Sequence, residues 1–463
     1  MAGIPKFVSS FTQNVCHLFE TSGIRGYPVS SKNMTVLLNP DEFYNTLIKL
    51  ASQSKKRVTM SSLYLGTGDL EEKLVSTVND SLRKEPGLQV KWFLDKGRGC
   101  RKVRGKSSSG MLSPLCVEHG TRHQVFLYTP VLSENLITQF LPPRWNEVLS
   151  VYHIKSYIFD NKMIISGANL SHDYFTNRID RYVLFENCDE FINLYDQFFS
   201  ILGKYCSTVS STGKIHNYLS SRKTHAQFCD EVKTLLRGGD APSPADADVM
   251  IFPTFQQEAI NLTADYDAFK SLLRLADAQT DLDLFLTSGY VNFPSEVVDL
   301  LTAFHGKLNF LFAAPQANSF FHDPSFASVI PALYNILQCD LFHRCTEKRA
   351  DVRFLEYLNK DWTYHAKGLW LFGRKGNDAV VTIGSPNFGM RSYFRDMESQ
   401  LYMVSESERF RQLFQKEAEH RFNNKDIMEV TTELFDSPER FPSHCPLEPS
   451  KLRFFLRMIQ GLL

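Results

Sequence analysis

The stretch HIKSYIFDNKMIISGANL, residues 153–170, decides the fold because it places a histidine and a lysine at the start of a buried-strand pattern. Residues i and i+2 share a face of extended backbone, so His153 and Lys155 are expected to point the same way. The later stretch HAKGLWLFGRKGNDAVVTIGSPN repeats the arrangement with His365 and Lys367. A lone histidine in an apolar run is usually a satisfied core residue, but the repeat indicates a functional site.

The surroundings of the two stretches also repeat in the same order, which indicates an internal duplication. RVTMSSLYLGTG (57–68) and LQVKWFLDKGRG (88–99) precede the first stretch, and LDLFLTSGYVNF (282–293) and KLNFLFAAPQANSF (307–320) precede the second. Helix-like segments separate these short apolar strands. The sequence therefore predicts an α/β fold of two duplicated halves, each a mixed sheet covered by helices, packed pseudo-symmetrically around one shared active site.

The boundary between the halves is predicted from composition. Gly, Pro and Asp in RGGDAPSPADAD (237–248) are typical of an exposed connection. The predicted order is an N-terminal helix at 1–34, a first half at 35–206, a connecting segment at 207–250 and a second half at 251–463 that ends in an amphipathic helix.

Composition excludes several classes of protein. The chain has 463 residues, of which 43% are hydrophobic, and this is enough for a sizeable core. Its formal net charge is zero, so it lacks a general attraction for nucleic acid and we predict no such partner. Nine cysteines without a CxxC pair fit a reducing compartment. The closest approach to a metal-binding pattern is the group of Cys339, His343 and Cys345, and its spacing is a weak signal. We predict no metal and no other cofactor.

Several segments have the composition of membrane-surface contacts, although no apolar run is long enough to span a bilayer. The N-terminal residues 1–20 fit either a targeting segment or an amphipathic helix docked on the core. KLRFFLRMIQGLL (451–463) either meets lipid phosphates or closes the core. The segments 135–151 and 318–334 are each either an apolar lip for acyl chains or buried core.

Each histidine–lysine pair is followed by an asparagine and an acid at matching spacing. Asn169 and Asn387 follow glycine-containing turns, and Asp180 and Glu398 lie eleven residues beyond them. Two lysines near one phosphate could each contribute about 4 kcal/mol at an effective dielectric of about 20, before desolvation. One imidazole can attack phosphorus while the other protonates the leaving oxygen. A nearby carboxylate would fix the tautomer of each ring.

These residues resemble the HxKxxxxD and GSxN motifs of the phospholipase D superfamily. His153, Lys155 and Asp160 fill the first copy, whereas Phe372 stands in place of the second aspartate. We interpret that aspartate as supporting the site rather than taking part in the chemistry. From about residue 35 to the C-terminus, the chain is also similar to the eukaryotic CDP-diacylglycerol–glycerol-3-phosphate 3-phosphatidyltransferases, the phosphatidylglycerophosphate synthases of mitochondria.

The closer resemblance implies transfer of the phosphatidyl group of CDP-diacylglycerol to glycerol 3-phosphate, with release of CMP, on the route to cardiolipin. It implies two phospholipase D-like halves, no metal requirement, and a peripheral enzyme on the anionic surface of the mitochondrial inner membrane. By superfamily analogy His153 would be the nucleophile that forms a phosphohistidine. His365 would be the general acid that later activates the incoming hydroxyl, although the residues alone allow the opposite assignment.

Both implied substrates are anionic, so clustered cations and hydroxyl groups are expected to bind them. The basic loop GRGCRKVRGK (97–106) is either such a site or a solvated surface loop. The predicted substrate-binding residues are Arg98, Arg101, Ser171, Arg178, Arg181, Ser385, Arg391 and Arg395.

Other functions compete for the same residues. A phosphatidylserine synthase or a cardiolipin synthase would use the same histidines with a different acceptor, and a phospholipase or nuclease would use water. A lipid-binding scaffold would not use them at all. Release of CMP that depends on serine rather than glycerol 3-phosphate would favour the first alternative, and full activity after loss of either histidine would favour the scaffold.

Overall fold

The computed structural model describes residues 5–133, 149–239, 244–279, 281–349 and 351–463. The predicted apolar lip at 135–151 lies outside the described residues, except for its last three positions.

The helices alternate with strands over the whole described chain, as the sequence predicts. The helices are α1 (Ser10–Thr21), α2 (Pro40–Gln53), α3 (Asp69–Lys84), α4 (Lys96–Cys100), α5 (Ser108–His119), α6 (His172–Thr176), α7 (Asp189–Gly203), α8 (Arg222–Arg237), α9 (Ala264–Asp277), α10 (Ser295–Ala303), α11 (Val329–Lys348), α12 (Met390–Phe394), α13 (Glu408–Phe422) and α14 (Pro449–Ile459). The strands are β1 (Tyr27–Val29), β2 (Met34–Leu37), β3 (Arg57–Ser62), β4 (Gln89–Asp95), β5 (His123–Tyr128), β6 (Ser156–Phe159), β7 (Lys162–Ser166), β8 (Arg178–Ile179), β9 (Tyr182–Glu186), β10 (Ser207–Val209), β11 (Ile215–His216), β12 (Val249–Gln257), β13 (Leu262–Thr263), β14 (Leu282–Ser288), β15 (Lys307–Ala313), β16 (Val352–Tyr357), β17 (Thr363–Tyr364), β18 (Gly368–Gly373), β19 (Ala379–Gly384), β20 (Glu398–Ser405) and β21 (Ile427–Glu429).

Two large mixed sheets share one topology. In the first sheet β3, β4 and β5 pair in parallel, and β6, β7, β9 and β2 extend it antiparallel on the other side of β3. The second sheet repeats this order, with β14, β15 and β16 in parallel and β18, β19, β20 and β12 antiparallel. The predicted fold class is confirmed, and the matching strand order supports the duplication.

Three layers of apolar side chains explain why the central strands lack a polar face. One core lies between the two sheets and takes residues from both halves, together with α7, α8 and α13. The outer face of the first sheet is covered by α2, α3 and α5, and the outer face of the second by α1, α9, α10 and α11. Strands buried on both faces read as continuous apolar runs, which is the pattern that the sequence shows.

The N-terminal segment is part of the second half's packing. In α1, Phe11, Val15 and Phe19 are buried in the outer core of the second sheet, and β1 pairs antiparallel with β12. Ser9 caps the start of this helix, because its hydroxyl accepts a hydrogen bond from the backbone N–H of Phe11. Of the two interpretations of this segment, the structure has the docked helix.

The connecting segment predicted at 207–250 contains regular structure. Its strand β10 pairs antiparallel with β5 of the first sheet, and α8 packs against the core that both sheets share. The division of the chain at this segment stays a prediction.

The two halves are joined by short backbone pairings next to the predicted motifs. Strands β8 and β17 pair in parallel across the halves. Tyr152 forms an isolated parallel bridge to Met397. Each bridge ends one residue before a motif histidine, so these pairings hold the two histidine segments at the seam.

Candidate active site

Both motif histidines lie on extended segments that lead into strands, rather than on the strands themselves. The first strand begins at Ser156 and the second at Gly368. The backbone N–H of His153 donates to the carbonyl of Met397 at 2.8 Å, and that of His365 donates to the carbonyl of Ile179 at 2.8 Å. Both hydrogen bonds connect a histidine to the opposite half of the molecule. Because the backbone of each histidine is engaged there, pairing within its own sheet starts only at the following residues.

Each imidazole is bound by the carboxylate of the opposite half. Nδ1 of His153 lies 3.0 Å from both carboxylate oxygens of Glu398, and Nδ1 of His365 lies 2.7 Å from Oδ2 of Asp180. An ionised carboxylate makes Nδ1 the protonated nitrogen and leaves Nε2 free for chemistry. The sequence predicts these acids, but it does not predict that they are exchanged between the halves.

The two lysines complete one buried cluster with these groups. Nζ of Lys155 donates to the backbone carbonyl of His153 at 2.7 Å, and Nζ of Lys367 lies 3.4 Å from Oδ2 of Asp180. Burial lowers the pKa of both lysines, opposed by Glu398 for Lys155 and by Asp180 for Lys367. Nζ of Lys367 also lies 3.5 Å from the backbone carbonyl of Gly167 in the first half, so the second motif contacts the first half directly.

The two carboxylates differ in their ionisation. Burial raises the pKa of Glu398 to about 7, although Lys155 opposes this shift. Burial acts in the same direction on Asp180, but Lys367 and the hydrogen bond from His365 outweigh it and hold the pKa of Asp180 below its ordinary value. Near neutral pH, Asp180 is therefore fully ionised while Glu398 titrates.

Both imidazoles are neutral without a bound anion. Burial, and then the neighbouring lysine, lowers the pKa of His153 and of His365 well below the ordinary value. A bound phosphate adds negative charge next to these rings and favours a protonated imidazole. The site is therefore suited to form an imidazolium only when an anionic substrate is present.

The asparagines lie in equivalent turns beside the histidines. Nδ2 of Asn169 donates to the hydroxyl of Tyr174 at 3.2 Å, and the backbone N–H of Asn387 donates to the hydroxyl of Ser392 at 2.9 Å. Oδ1 of Asn387 is buried and has no hydrogen-bond partner within the described part of the chain. An unpaired buried amide oxygen is costly, and a bound anion would be held by the amide N–H groups rather than by this oxygen.

Asp160 lies outside this cluster, and its carboxylate binds backbone groups instead. Its carboxylate accepts hydrogen bonds from the backbone N–H groups of Lys55, Lys56 and Arg57 at 2.8–3.0 Å. It therefore ties the turn after β6 to the start of β3. The motif places Asp160 among the predicted catalytic residues, but these contacts assign it to the support of the backbone instead. At the equivalent place Phe372 is a buried core residue, so the loss of the second aspartate does not alter the site.

Arg178 is a predicted cation that lies close to His365, with the ring of Tyr174 between them. Its guanidinium lies over the ring of Tyr174, 4.7 Å from the centroid, and the Tyr174 hydroxyl lies 3.3 Å from Nε2 of His365. Further out, Arg98 lies over the ring of Tyr64 at 4.6 Å.

The remaining candidates of the first half lie around these residues. The hydroxyl of Ser171 is 3.2 Å from that of Tyr64, so Ser171 borders the site. Arg101 follows α4, and its backbone N–H donates to the carbonyl of Arg98 at 3.3 Å.

Arg181 does not face the cluster. Its guanidinium is fully buried in a bidentate ion pair with Glu417 at 2.8 Å, lies over Trp370 and donates to the carbonyl of Thr382 at 2.6 Å. These partners belong to the second half, so we assign Arg181 to the joining of the halves rather than to substrate binding.

The candidates of the second half are also engaged by protein groups. Arg391 pairs with Asp396 at 3.1 Å, and Arg395 donates to the backbone carbonyls of Gly461 and Leu149. The hydroxyl of Ser385 donates to the backbone carbonyl of Ser399 at 3.3 Å and accepts from the backbone N–H of Ser399 at 3.1 Å. This serine therefore ties the turn after β19 to β20, next to Glu398.

Tyrosines around the histidines were missed by the sequence analysis. The ring of Tyr174 meets His365 edge to face at 5.2 Å, and the ring of Tyr290 does so at 5.7 Å. Tyr64 and Tyr290 occupy equivalent positions, since Ser62 and Ser288 each donate to the carbonyl of the tyrosine two residues later at 2.9 Å. The repeat of Ser-x-Tyr after equivalent strands was the available signal.

Known proteins resemble the chain over most of its length. No family model matches it. The mitochondrial CDP-diacylglycerol–glycerol-3-phosphate 3-phosphatidyltransferase of Mus musculus is 32% identical over 459 residues, which cover 89% of this chain and 81% of that protein. The corresponding protein of Saccharomyces pastorianus is 28% identical and covers 94% of this chain and 89% of its own length. The solved phosphatidylserine synthase of Haemophilus influenzae Rd KW20 has a TM-score of 0.74 at 17% identity, covers 97% of this chain and 98% of its own, and supports the fold alone.

Proposed function

The chain belongs to the family of CDP-diacylglycerol–glycerol-3-phosphate 3-phosphatidyltransferases, and we propose that its crossed histidine pairs perform the transfer through a phosphohistidine. The reaction moves the phosphatidyl group from CDP-diacylglycerol to glycerol 3-phosphate and releases CMP, the step that forms phosphatidylglycerophosphate for cardiolipin. The observation that carries the mechanism is the exchange of carboxylates, because each half orients the imidazole of the other beside a buried lysine.

In the first step Nε2 of His153 attacks the phosphorus of the phosphatidyl group. A phosphorus–nitrogen bond forms, the bond to the oxygen of CMP breaks, and protonated His365 gives its proton to that oxygen. In the second step neutral His365 takes the proton of the glycerol 3-phosphate hydroxyl. The oxygen attacks phosphorus, and the bond to His153 breaks.

The difference between the carboxylates supports this division of roles. A general acid must carry a proton, and an ionised partner stabilises the imidazolium. Asp180 keeps a pKa below its ordinary value, so His365 has a fully charged partner. Glu398, whose pKa is raised to about 7, is the weaker partner and suits the histidine that attacks as a neutral base.

The lysines and asparagines act on the phosphate oxygens. Lys155 and Lys367 are both buried, and the low dielectric around them strengthens their attraction for developing negative charge. The amide groups of Asn169 and Asn387 can donate to the same oxygens. These groups are fixed before substrate arrives, so little reorganisation is needed during the reaction.

The experiment that tests the function measures CMP release from CDP-diacylglycerol with separate acceptors. We expect release and lipid product to depend on glycerol 3-phosphate. Dependence on L-serine alone, or equal release with water, would contradict the proposal. Mass spectrometry of acid-free quenched protein should find a phosphatidyl adduct on His153, which His153→Ala removes. His365→Ala should slow turnover at least about 1,000-fold.

We propose that the protein acts on an anionic membrane surface, as a peripheral protein of the mitochondrial inner membrane. Relatives carry mitochondrial names, and within the described ranges no helix is long and apolar enough to cross a membrane. In α14, Leu452 and Leu456 are buried against α11, whereas Phe454 is 68% exposed and Met458 is 60% exposed. The helix thus closes the core with one face and offers apolar side chains to lipid with the other. With a net charge of zero, we propose no nucleic-acid partner.

A further inference from the structure

Two equivalent ion pairs flank the site with their charges exchanged. Counted from the asparagines Asn169 and Asn387, the fourth and ninth positions are Asp173 and Arg178 in the first half, and Arg391 and Asp396 in the second. Nη2 of Arg178 lies 3.3 Å from Oδ2 of Asp173, and Nη2 of Arg391 lies 3.1 Å from Oδ1 of Asp396. Both halves therefore have the ion pair, but the arginine and the aspartate have exchanged positions.

Burial shows which member of each pair lies inward. The side chain of Arg178 is 12% exposed and that of Asp173 is 55% exposed. In the other pair, Arg391 is 24% exposed and Asp396 is 6% exposed. The inner group is therefore a cation on one side of the site and a carboxylate on the other.

The two inner groups lie next to different histidines. Arg178 reaches His365 through the ring of Tyr174, whose hydroxyl is 3.3 Å from Nε2 of His365. Asp396 accepts a hydrogen bond at 2.8 Å from the backbone N–H of Val151, two residues before His153. The more buried member of the pair is thus a cation next to His365 and a carboxylate next to His153, so the two pairs favour an additional anion on the His365 side.

A second position repeats this asymmetry. Strand pairing aligns Leu94 with Ser62 and Phe312 with Ser288, so the residue equivalent to Arg98 is Gln316. Arg98 lies over Tyr64, beside the site, whereas the Gln316 side chain donates to the carbonyl of Glu439 at 2.9 Å. At these two repeated positions the first half thus has Arg178 and Arg98, where the second half has Asp396 and Gln316.

We propose that Arg178, backed by Arg98, forms the subsite for the phosphate of glycerol 3-phosphate on the His365 side. This proposal rests on the proposed function. Three carbons separate the reacting hydroxyl of this acceptor from its phosphate, so the phosphate must bind beyond the groups that hold the reacting phosphorus. Arg178 has that position, one side chain away from His365. The incoming phosphate replaces exposed Asp173 on the guanidinium, which binds phosphate with parallel hydrogen bonds.

The test compares steady-state kinetics of wild type, Arg178→Gln, Arg178→Lys, Asp173→Asn and Arg391→Gln. Arg178→Gln should raise KM for glycerol 3-phosphate at least about tenfold, with KM for CDP-diacylglycerol changed less than about threefold. Arg178→Lys should lie between wild type and Arg178→Gln, because the charge is kept and the paired hydrogen bonds are lost. Asp173→Asn should lower KM for glycerol 3-phosphate about twofold or more, because it removes the competing carboxylate.

Arg391→Gln is the matched control, since it removes the same charge from the equivalent pair. It leaves Asp396 unpaired near His153 and should reduce kcat without raising KM for glycerol 3-phosphate. The subsite is wrong if Arg178→Gln leaves that KM unchanged, or if Arg391→Gln raises it equally. Because Asp173 is exposed, Asp173→Asn tests the same competition in a variant that should fold, and an unchanged KM there also counts against the subsite. Failure of the proposed function is a separate outcome, seen as wild-type protein that does not use glycerol 3-phosphate.

Discussion

Glu398 and Asp180 hold equivalent histidines but have pKa values shifted in opposite directions. Above pH 7 the carboxylate of Glu398 is ionised and accepts the Nδ1 proton of His153, so that Nε2 is free to attack. Below pH 7 the protonated carboxyl donates to Nδ1 instead, and the proton of the ring moves to Nε2. Activity that depends on His153 as nucleophile should therefore be lost as the pH falls through about 7.

The measurement is the pH profile of kcat/KM for CDP-diacylglycerol. Wild type should show an acid limb near pH 7, and Glu398→Gln should lower activity and remove that limb. Asp180→Asn should lower activity across the profile while the limb stays, because Asp180 is ionised throughout this range. If the acid limb is still present in Glu398→Gln, a group other than Glu398 is responsible for it.

Residue types and spacing were sufficient to predict the members of the cluster, but not their partners. His153 and Glu398 are 245 residues apart in the chain, and equal offsets in both halves are compatible with pairing within a half or between halves. Asp160 matched a motif, yet its carboxylate binds backbone N–H groups. A sequence motif identifies the residue type at each position, but it does not show which atoms that side chain contacts.

At the scale of elements, the ion pair between Arg181, which directly precedes β9, and Glu417 of α13 joins the halves. Both side chains have 0% exposure, and removal of one partner leaves an uncompensated buried charge. We expect Glu417→Gln to lower the free energy of unfolding by about 3–5 kcal/mol, measured by urea denaturation. Lys204→Gln breaks a surface pair with Glu231 and should change it by less than about 1 kcal/mol. A small effect of Glu417→Gln on the free energy of unfolding would mean that other contacts hold the two halves together.

The exposed face of α14 gives a second prediction for an element. Phe454→Ser with Met458→Ser should reduce binding to vesicles that contain anionic lipid, since each apolar side chain contributes about 1.5–3 kcal/mol when fully buried. Activity on substrate in detergent micelles should stay within about twofold. Val117 on α5 is 57% exposed, and Val117→Ser is the control. Sedimentation with the vesicles measures the bound fraction, and equal losses in both variants would exclude α14 as the lipid-binding face.

Hydrophobic periodicity predicted the strands and helices well, because buried strands and amphipathic helices differ in period. It placed the histidines on strands, whereas they precede them. The reason is tertiary: the backbone at Tyr152 and Tyr364 pairs with the other half, and such pairings leave no periodic signal in the local sequence.

For the whole molecule, the N-terminal helix is a structural member of the second half. Phe19 is fully buried and its ring stacks on Phe252 at 4.6 Å. Phe19→Ala should lower the free energy of unfolding by about 3–5 kcal/mol. Val8 is 85% exposed, and Val8→Ala should have almost no effect on the same urea transition. Equal transitions for both variants would mean that α1 does not contribute to the fold.

The exchange of carboxylates has a consequence for when the active site is completed during synthesis of the chain. A nascent chain that has folded only its first half holds His153 without Glu398, and Asp180 without His365. Neither half alone therefore holds its histidine against a carboxylate, and the catalytic groups are complete only when both halves have docked.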